Sequence, residues 1–126
     1  VKHVVLDAGA LIALDRGLAT VRGYVLLADR GHVALSTSAA VVAQVWRGGS
    51  RQARLARFLA SDLVTEVPFD PDAARRVGVL AALVGCRDVV DGHVALLSLD
   101  RDAVVLTSDP DDIARWGVPT AKIVRA

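Results

Sequence analysis

The chain has 126 residues, 53% of them apolar, and fifteen Lys and Arg against fourteen Asp and Glu leave a formal net charge of +1. That length fits one domain, residues 1–126, with a core of its own, and the positive mean hydropathy excludes a disordered chain. The charge balance excludes a uniformly basic nucleic-acid binder, the lone Cys86 excludes an internal disulfide, and no apolar run is long enough to span a membrane.

The opening stretch VKHVVLDAGALIALDRG predicts a buried strand over 3–6, ended by Asp7, and then a helix with Ala10, Leu11, Leu14 and Leu18 on one stripe and Gly17 as its stop. An apolar run broken this early, with no small-residue cleavage site after it, is not a secretory signal, so the expectation is a cytosolic protein. A second helix is expected over 19–30, closed by Gly31, and a strand over 32–36. Ser36, Thr37 and Ser38 offer a cap for a helix AAVVAQVWR that ends at Gly48 and Gly49, and Ser50 a cap for RQARLARFLA, whose Leu55, Phe58 and Leu59 form an apolar face. A strand LVTEV precedes Pro68. Asp70 and Pro71 stand in cap and first-turn order for a helix ending near Gly85. DVVDGHVALLSLD has helical period, AVVLTSD reads as a buried strand, DPDDIARWG as a short capped helix, and AKIV as the last strand. Cys86 reads as a small hydrophobe at a helix end.

Strands alternating with helices predict a mainly parallel sheet of about five strands covered on both faces, a three-layer α/β/α sandwich. In open sheets of this kind ligands bind beyond the carboxyl ends of the strands. Asp7 stands there, after VVL, and Asp109 stands there again, after VVLTS. Asp88 and Asp91, three residues apart in DVVD, share one face of a helical turn. Carboxylates brought this close repel one another, and a divalent cation is the simplest compensation. All-oxygen ligands select Mg²⁺ or Mn²⁺, and the chemistry that follows is metal-assisted phosphodiester hydrolysis. Thr107 and Ser108 are placed to hold a carboxylate or a metal-bound water by hydrogen bonds, or, as a strand end, to cap the next helix. Each acid also has a purely structural use: Asp7, Asp88 and Asp109 as helix N-caps, Asp91 as a favourable charge in a first turn. Their joint placement favours a site.

VVLDAGALIAL, STSAAVVAQVWR, DVVDGHVALL and VVLTSDPDDIA, in this order and spacing, resemble the PIN-domain family, in particular the short VapC toxins of bacterial toxin–antitoxin pairs, nearly end to end. The resemblance implies an α/β/α sandwich, a Mg²⁺- or Mn²⁺-dependent endoribonuclease, an RNA substrate, and a homodimer neutralised by a cognate antitoxin protein. It assigns Asp7, Asp91 and Asp109 as catalytic metal ligands and Asp88 and Asp112 as accessory acids. One position departs from the pattern: the family's glutamate after the second strand falls on Gln44, and the chain's single glutamate, Glu66, lies in the VTEV strand. Gln44 keeps a carbonyl oxygen for a cation or its water but brings no charge. The expectation is weaker metal binding; the alternative is a degenerate PIN domain that binds antitoxin or RNA with little or no cleavage.

Arg47, one helical turn beyond Gln44, is a candidate contact for the RNA phosphate backbone or for an acidic partner, and the arginine-rich WRGGSRQARLARF reads either as a solvated helix face or as RNA-binding. Trp46 reads as core or dimer interface. A two-component receiver domain is disfavoured because Asp7 is alone and no aspartate ends the VTEV strand. A haloacid-dehalogenase-like phosphatase is disfavoured by Gly9, two residues after Asp7, where a second aspartate is needed. Neither glycine-rich nucleotide fingerprint occurs, and His3, His32 and His93 lack ligand spacing.

Overall fold

The computed structural model describes all 126 residues. Five strands, β1 (Lys2–Leu6), β2 (Val33–Ser38), β3 (Val64–Val67), β4 (Val104–Thr107) and β5 (Ile123–Arg125), form one sheet in the order β3-β2-β1-β4-β5, and every pairing is parallel. Seven helices connect them: α1 (Ala8–Asp15), α2 (Ala19–Asp29), α3 (Ala39–Val45), α4 (Ala53–Leu59), α5 (Pro71–Val84), α6 (Val89–Arg101) and α7 (Pro110–Arg115). From β1 the chain steps outward through β2 to β3, then returns across the sheet to β4. Right-handed crossovers therefore put α1–α4 on one face and α5–α7 on the other. The packing agrees, since α1 meets α3 and α4 while α6 meets α5 and α7. The reversal falls between β1 and β4, and this is where open parallel sheets place a ligand crevice.

The strands are short, apolar and buried because both faces are covered: Val4, Val5 and Leu6 in β1 and Val105 and Leu106 in β4 are at most 2% exposed. Helix α6 is more than an amphipathic cover. Gly92 through Ser98 are all buried, and α6 lies across β1, β2 and β4. Trp116, just after α7, packs so tightly on Gly92 that a Cβ there would stand 2.7 Å from both the indole and Val77. This contact, with Ile113 and Val118, closes the core beneath α7.

Several local expectations are corrected. β2 runs on to Ser38, because its pairing with β1 continues to Thr37 and its pairing with β3 to Ser38. Leu18 is 49% exposed, since α1 stops at Asp15 and Leu18 opens α2 instead of completing the α1 stripe. Helix α3 ends at Val45, short of the glycines, where Trp46 turns extended. The turn is held by the Gln52 amide, which accepts from the Arg47 and Gly48 N–H groups and donates to the Val45 carbonyl. Ser50 opens a 3-10 turn over Ser50–Gln52 and its side chain caps no helix. Trp46, 42% exposed, is not core. As expected, Asp70 accepts from the Ala73 N–H at the start of α5, and Gly85 ends that helix with φ of 71°.

Candidate metal centre at the carboxyl ends of β1 and β4

Leu6 pairs with Leu106, so Asp7 and Thr107 follow side by side at the ends of the two central strands, and the Asp7 N–H donates to the Leu106 carbonyl at 3.2 Å. A cleft of about 280 Å³ opens above them. Asp7, Asp88, Asp91, Asp109, Asp112, Gln44 and Ser108 all line it, on a floor that includes Ala8, Gly9, Ile12, Val41, Val90 and Val94. Two of the expected residues do not line the cleft. Thr107 is fully buried beneath the cleft, where its hydroxyl bonds to the Asp7 carboxylate and accepts from the Asp109 N–H at 2.9 Å. Arg47 lies in an adjoining cavity.

The structural duties of the acids differ. Asp7 is the N-cap of α1 and accepts from the Ala10 N–H at 3.0 Å. Asp88 is the N-cap of α6 and accepts from Val90 and Asp91. Asp112 pairs with Arg115 at 2.7 Å on the open side. Asp109 occupies the N-cap position of α7 without using its side chain for a cap bond. The capping use that the Asp109–Pro110 order offers is not made in the fold. The carboxylates of Asp91 and Asp109 accept no hydrogen bond from the protein.

Five carboxylates therefore share one cleft whose lining contains no Lys, Arg or His. Burial, reinforced by Asp88, Asp112, Asp7 and Asp109 around it, pushes the Asp91 pKa up to about 6. Burial also raises Asp7, opposed by the Thr107 hydroxyl and the Ala10 N–H, with Asp109 adding to the rise. The donor set is entirely oxygen, the kind that Mg²⁺ and Mn²⁺ take. No three of the acids are gathered tightly enough to make a cage by themselves. That fits a small hard cation that keeps several waters and takes only one or two carboxylates.

The raised Asp91 pKa carries a stability consequence in the metal-free protein. Between pH 3.8 and about 6 the folded state holds a proton on Asp91 that the unfolded state has lost, so this group's contribution falls as pH rises through that window and is least favourable above it. The full shift corresponds to ~3 kcal/mol, which partial solvent exposure of the group reduces to about 1 kcal/mol. His93, whose pKa burial lowers, slopes the opposite way, so the comparison has to be internal. Melted in EDTA, Asp91→Asn is expected to exceed wild type at pH 7.5 and to lose that advantage at pH 4.5. An equal difference at both pH values would refute the assignment of repulsion to this carboxylate.

Two supports escaped the sequence reading. The buried Ser38 hydroxyl accepts from the Ala40 N–H at the start of α3 and is hydrogen-bonded to His93 Nδ1 on α6 at 2.6 Å. This bond ties the helix that carries Gln44 to the helix that carries Asp91. Nothing in sequence pairs residues 55 apart. Gly9, the second support, lies against Ser108, and its missing side chain lets the α1 and α7 entrances meet.

No family model matches the chain, and no curated protein does. Among solved structures, a chain of VapBC2 from Rickettsia felis, crystallised bound to a DNA fragment from their promoter, matches with a TM-score of 0.70 at 15% identity, covering 98% of this chain and 98% of that one. The fold is PIN-like. The α/β/α sandwich with a five-stranded parallel sheet is thus shown by its own topology and by a full-length structural neighbour. No helix of this PIN-like chain is long and apolar enough to cross a membrane.

Proposed function

We propose that this chain is a Mg²⁺- or Mn²⁺-dependent endoribonuclease, the toxin of a toxin–antitoxin pair. The observation that carries the proposal is the cleft at the β1–β4 reversal, with five carboxylates, one amide and no Lys, Arg or His in its lining. Asp7, Asp91 and Asp109 would hold the metal, one or two of them directly and the rest through its waters. The ion supplies charge neutralisation at the phosphodiester and a lowered water pKa. Thr107 fixes the Asp7 carboxylate from below, Asp88 holds the start of α6 so that Asp91 faces the cleft, and Gln44 presents its carbonyl oxygen from α3. Asp112, neutralised in part by Arg115, and Ser108 shape the rim. The likeness to a chain of VapBC2, a toxin–antitoxin complex, supports a small protein antitoxin as partner. Val79 and Leu83 on α5, 63% and 78% exposed, are apolar side chains available to the homodimer that belongs to this reading.

The deciding experiment is thermal unfolding in EDTA and then in rising Mn²⁺ or Mg²⁺, followed by cleavage of single-stranded RNA. A ligand that binds only the folded state raises the melting temperature. Wild type is expected to shift with metal and to cleave RNA only in its presence. Gln44→Glu restores a negative oxygen donor and is expected to lower the Mn²⁺ concentration for half-maximal shift by about 10-fold, the scale on which metal sites respond to neighbouring ligands. An unchanged half-point would place Gln44 outside the metal's surroundings. A second reading, a PIN domain that binds without cutting, rests on Gln44 alone, and a metal shift without cleavage would favour it.

A further inference from the structure

A second cavity, about 350 Å³, adjoins the acidic cleft along Ile12 and Gln44, which line both, as a trough that reaches the ends of α1 and α3. Its walls carry Arg16 and Arg47. Neither arginine is in an ion pair, since the salt bridges of the molecule join Arg76 to Asp100, Arg115 to Asp112 and Lys122 to Asp102. The one acid of this wall, Asp15, has an oxygen committed to the Leu55 N–H at 3.2 Å. Arg47 is anchored at both ends. Gln52 accepts from its backbone N–H at 2.8 Å, and its Nη1 donates to the Trp46 carbonyl at 2.8 Å and the Ala43 carbonyl at 3.5 Å. The rest of the guanidinium makes no bond to the protein.

We infer that this cavity is a phosphate subsite of the RNA track, in which Arg16 and Arg47 hold a backbone phosphate flanking the one cut at the acidic cleft. The inference rests on the nuclease reading for the direction of the track, and not for the existence of the groove. Guanidinium groups match the bidentate geometry that phosphate oxygens accept, and both arginines line this one cavity. The Gln52 clamp fixes the loop on which Arg47 sits, so the contact is pre-formed. Five carboxylates repel an RNA strand, and a neighbouring basic wall anchors that strand from outside their field. Gln44, on the border of both cavities, is a neutral donor and acceptor where a glutamate would repel the same phosphate. With two Trp, one Tyr and two Phe in the chain, stacking is scarce, and backbone contacts carry a larger share of the binding.

The test measures binding of a fluorescein-labelled mixed-sequence hexaribonucleotide by anisotropy in EDTA, which prevents cleavage, for wild type and the double variant Arg16→Ala/Arg47→Ala. Both positions are exposed, and a melting temperature in EDTA within a degree or two of wild type verifies the fold. The double variant is expected to bind at least about 10-fold more weakly and to lose about 0.7 from the slope of log affinity against log salt, the value for one phosphate contact on a single strand. Its Mn²⁺ thermal shift should equal that of wild type. Arg16→Lys/Arg47→Lys should recover most of the salt slope and less of the affinity. Unchanged RNA affinity in the alanine variant, or no RNA binding by wild type, overturns the subsite whether or not metal-dependent cleavage is found. Arginine-dependent binding without metal-dependent cleavage supports the groove and removes the nuclease reading instead. Tighter, equally arginine-dependent binding of a hexaglutamate peptide overturns the RNA assignment and identifies an acidic protein segment as the occupant.

Discussion

Replacing Asp109 by Asn is expected to lower Mn²⁺-dependent RNA cleavage by at least about 100-fold, the upper range of losses recorded for residues that only support a metal's ligands, while the protein melts in EDTA at or above the wild-type temperature. The asymmetry follows from what the fold asks of this side chain. Asp109 starts α7, but its carboxylate makes no cap bond, and its backbone N–H is held by Thr107 whichever residue is present. An amide of the same shape therefore costs the fold nothing and removes one charge from a group of five. Asp7→Asn should behave alike in activity, because the amide oxygen still accepts from the Ala10 N–H. Its effect on stability is less simple, since the Thr107 hydroxyl bonds to the carboxylate it replaces. The measurement is a metal titration of cleavage rate beside a melting curve. A capping role alone predicts lost stability with activity retained in the folded fraction, and that result would sink the assignment of Asp109 to the metal.

The two halves of this site were unequally visible before the structure. VVLD and VVLTSD are strands buried on both faces, so each reads as a continuous apolar run, and a parallel sheet places the residue after such a run at its carboxyl end. Asp7 and Asp109 were legible for that reason, and DVVD for its helical spacing. The position of Gln44 followed from the resemblance, since no periodicity marks one polar residue on α3. What stayed hidden depends on contacts between distant segments. The early end of α3 is set by the Gln52 amide reaching back to Val45, where Gly48 and Gly49 had suggested a later stop. The exposure of Leu18 came from a helix that ends within its own stripe. Ser38 and His93 had no visible reason to meet, nor did Trp116 and Gly92.

The electrostatics of the cleft and trough also depended on tertiary structure. A net charge of +1 conceals a wall of carboxylates and a wall of unpaired arginines meeting at Ile12 and Gln44. The arginines of WRGGSRQARLARF looked like one group in sequence. In the fold they separate: Arg47 lines the trough together with Arg16, which lies outside that segment, whereas Arg54 packs against Gly17. A compositional cluster of charge was therefore a poor guide to which cations share a cavity.

Gly9→Ala is expected to be the most damaging single change outside the acids, although Gly9 donates nothing to chemistry. A Cβ at this position would stand 2.5 Å from Ser108 Cβ and 2.9 Å from the Ser108 backbone nitrogen. Rotating the Ser108 hydroxyl relieves neither contact, because Cβ and the nitrogen are both fixed by the backbone, so the start of α1 or the entrance to α7 has to move. Overpacking of this kind costs typically ~1–3 kcal/mol, and here the displaced segments are the ones that carry Asp7 and Asp109. The expected result is a lower melting temperature in EDTA together with a weaker Mn²⁺ shift and cleavage reduced about 10- to 100-fold in the folded protein. Ser108→Gly in the same chain removes the side-chain contact and leaves the backbone contact, so the double variant should regain part of the stability and less of the metal response, a coupling that a double-mutant cycle reads directly. If Gly9→Ala binds Mn²⁺ and cuts RNA as wild type does, the close approach of α1 and α7 is not what sets the spacing of the two carboxylates.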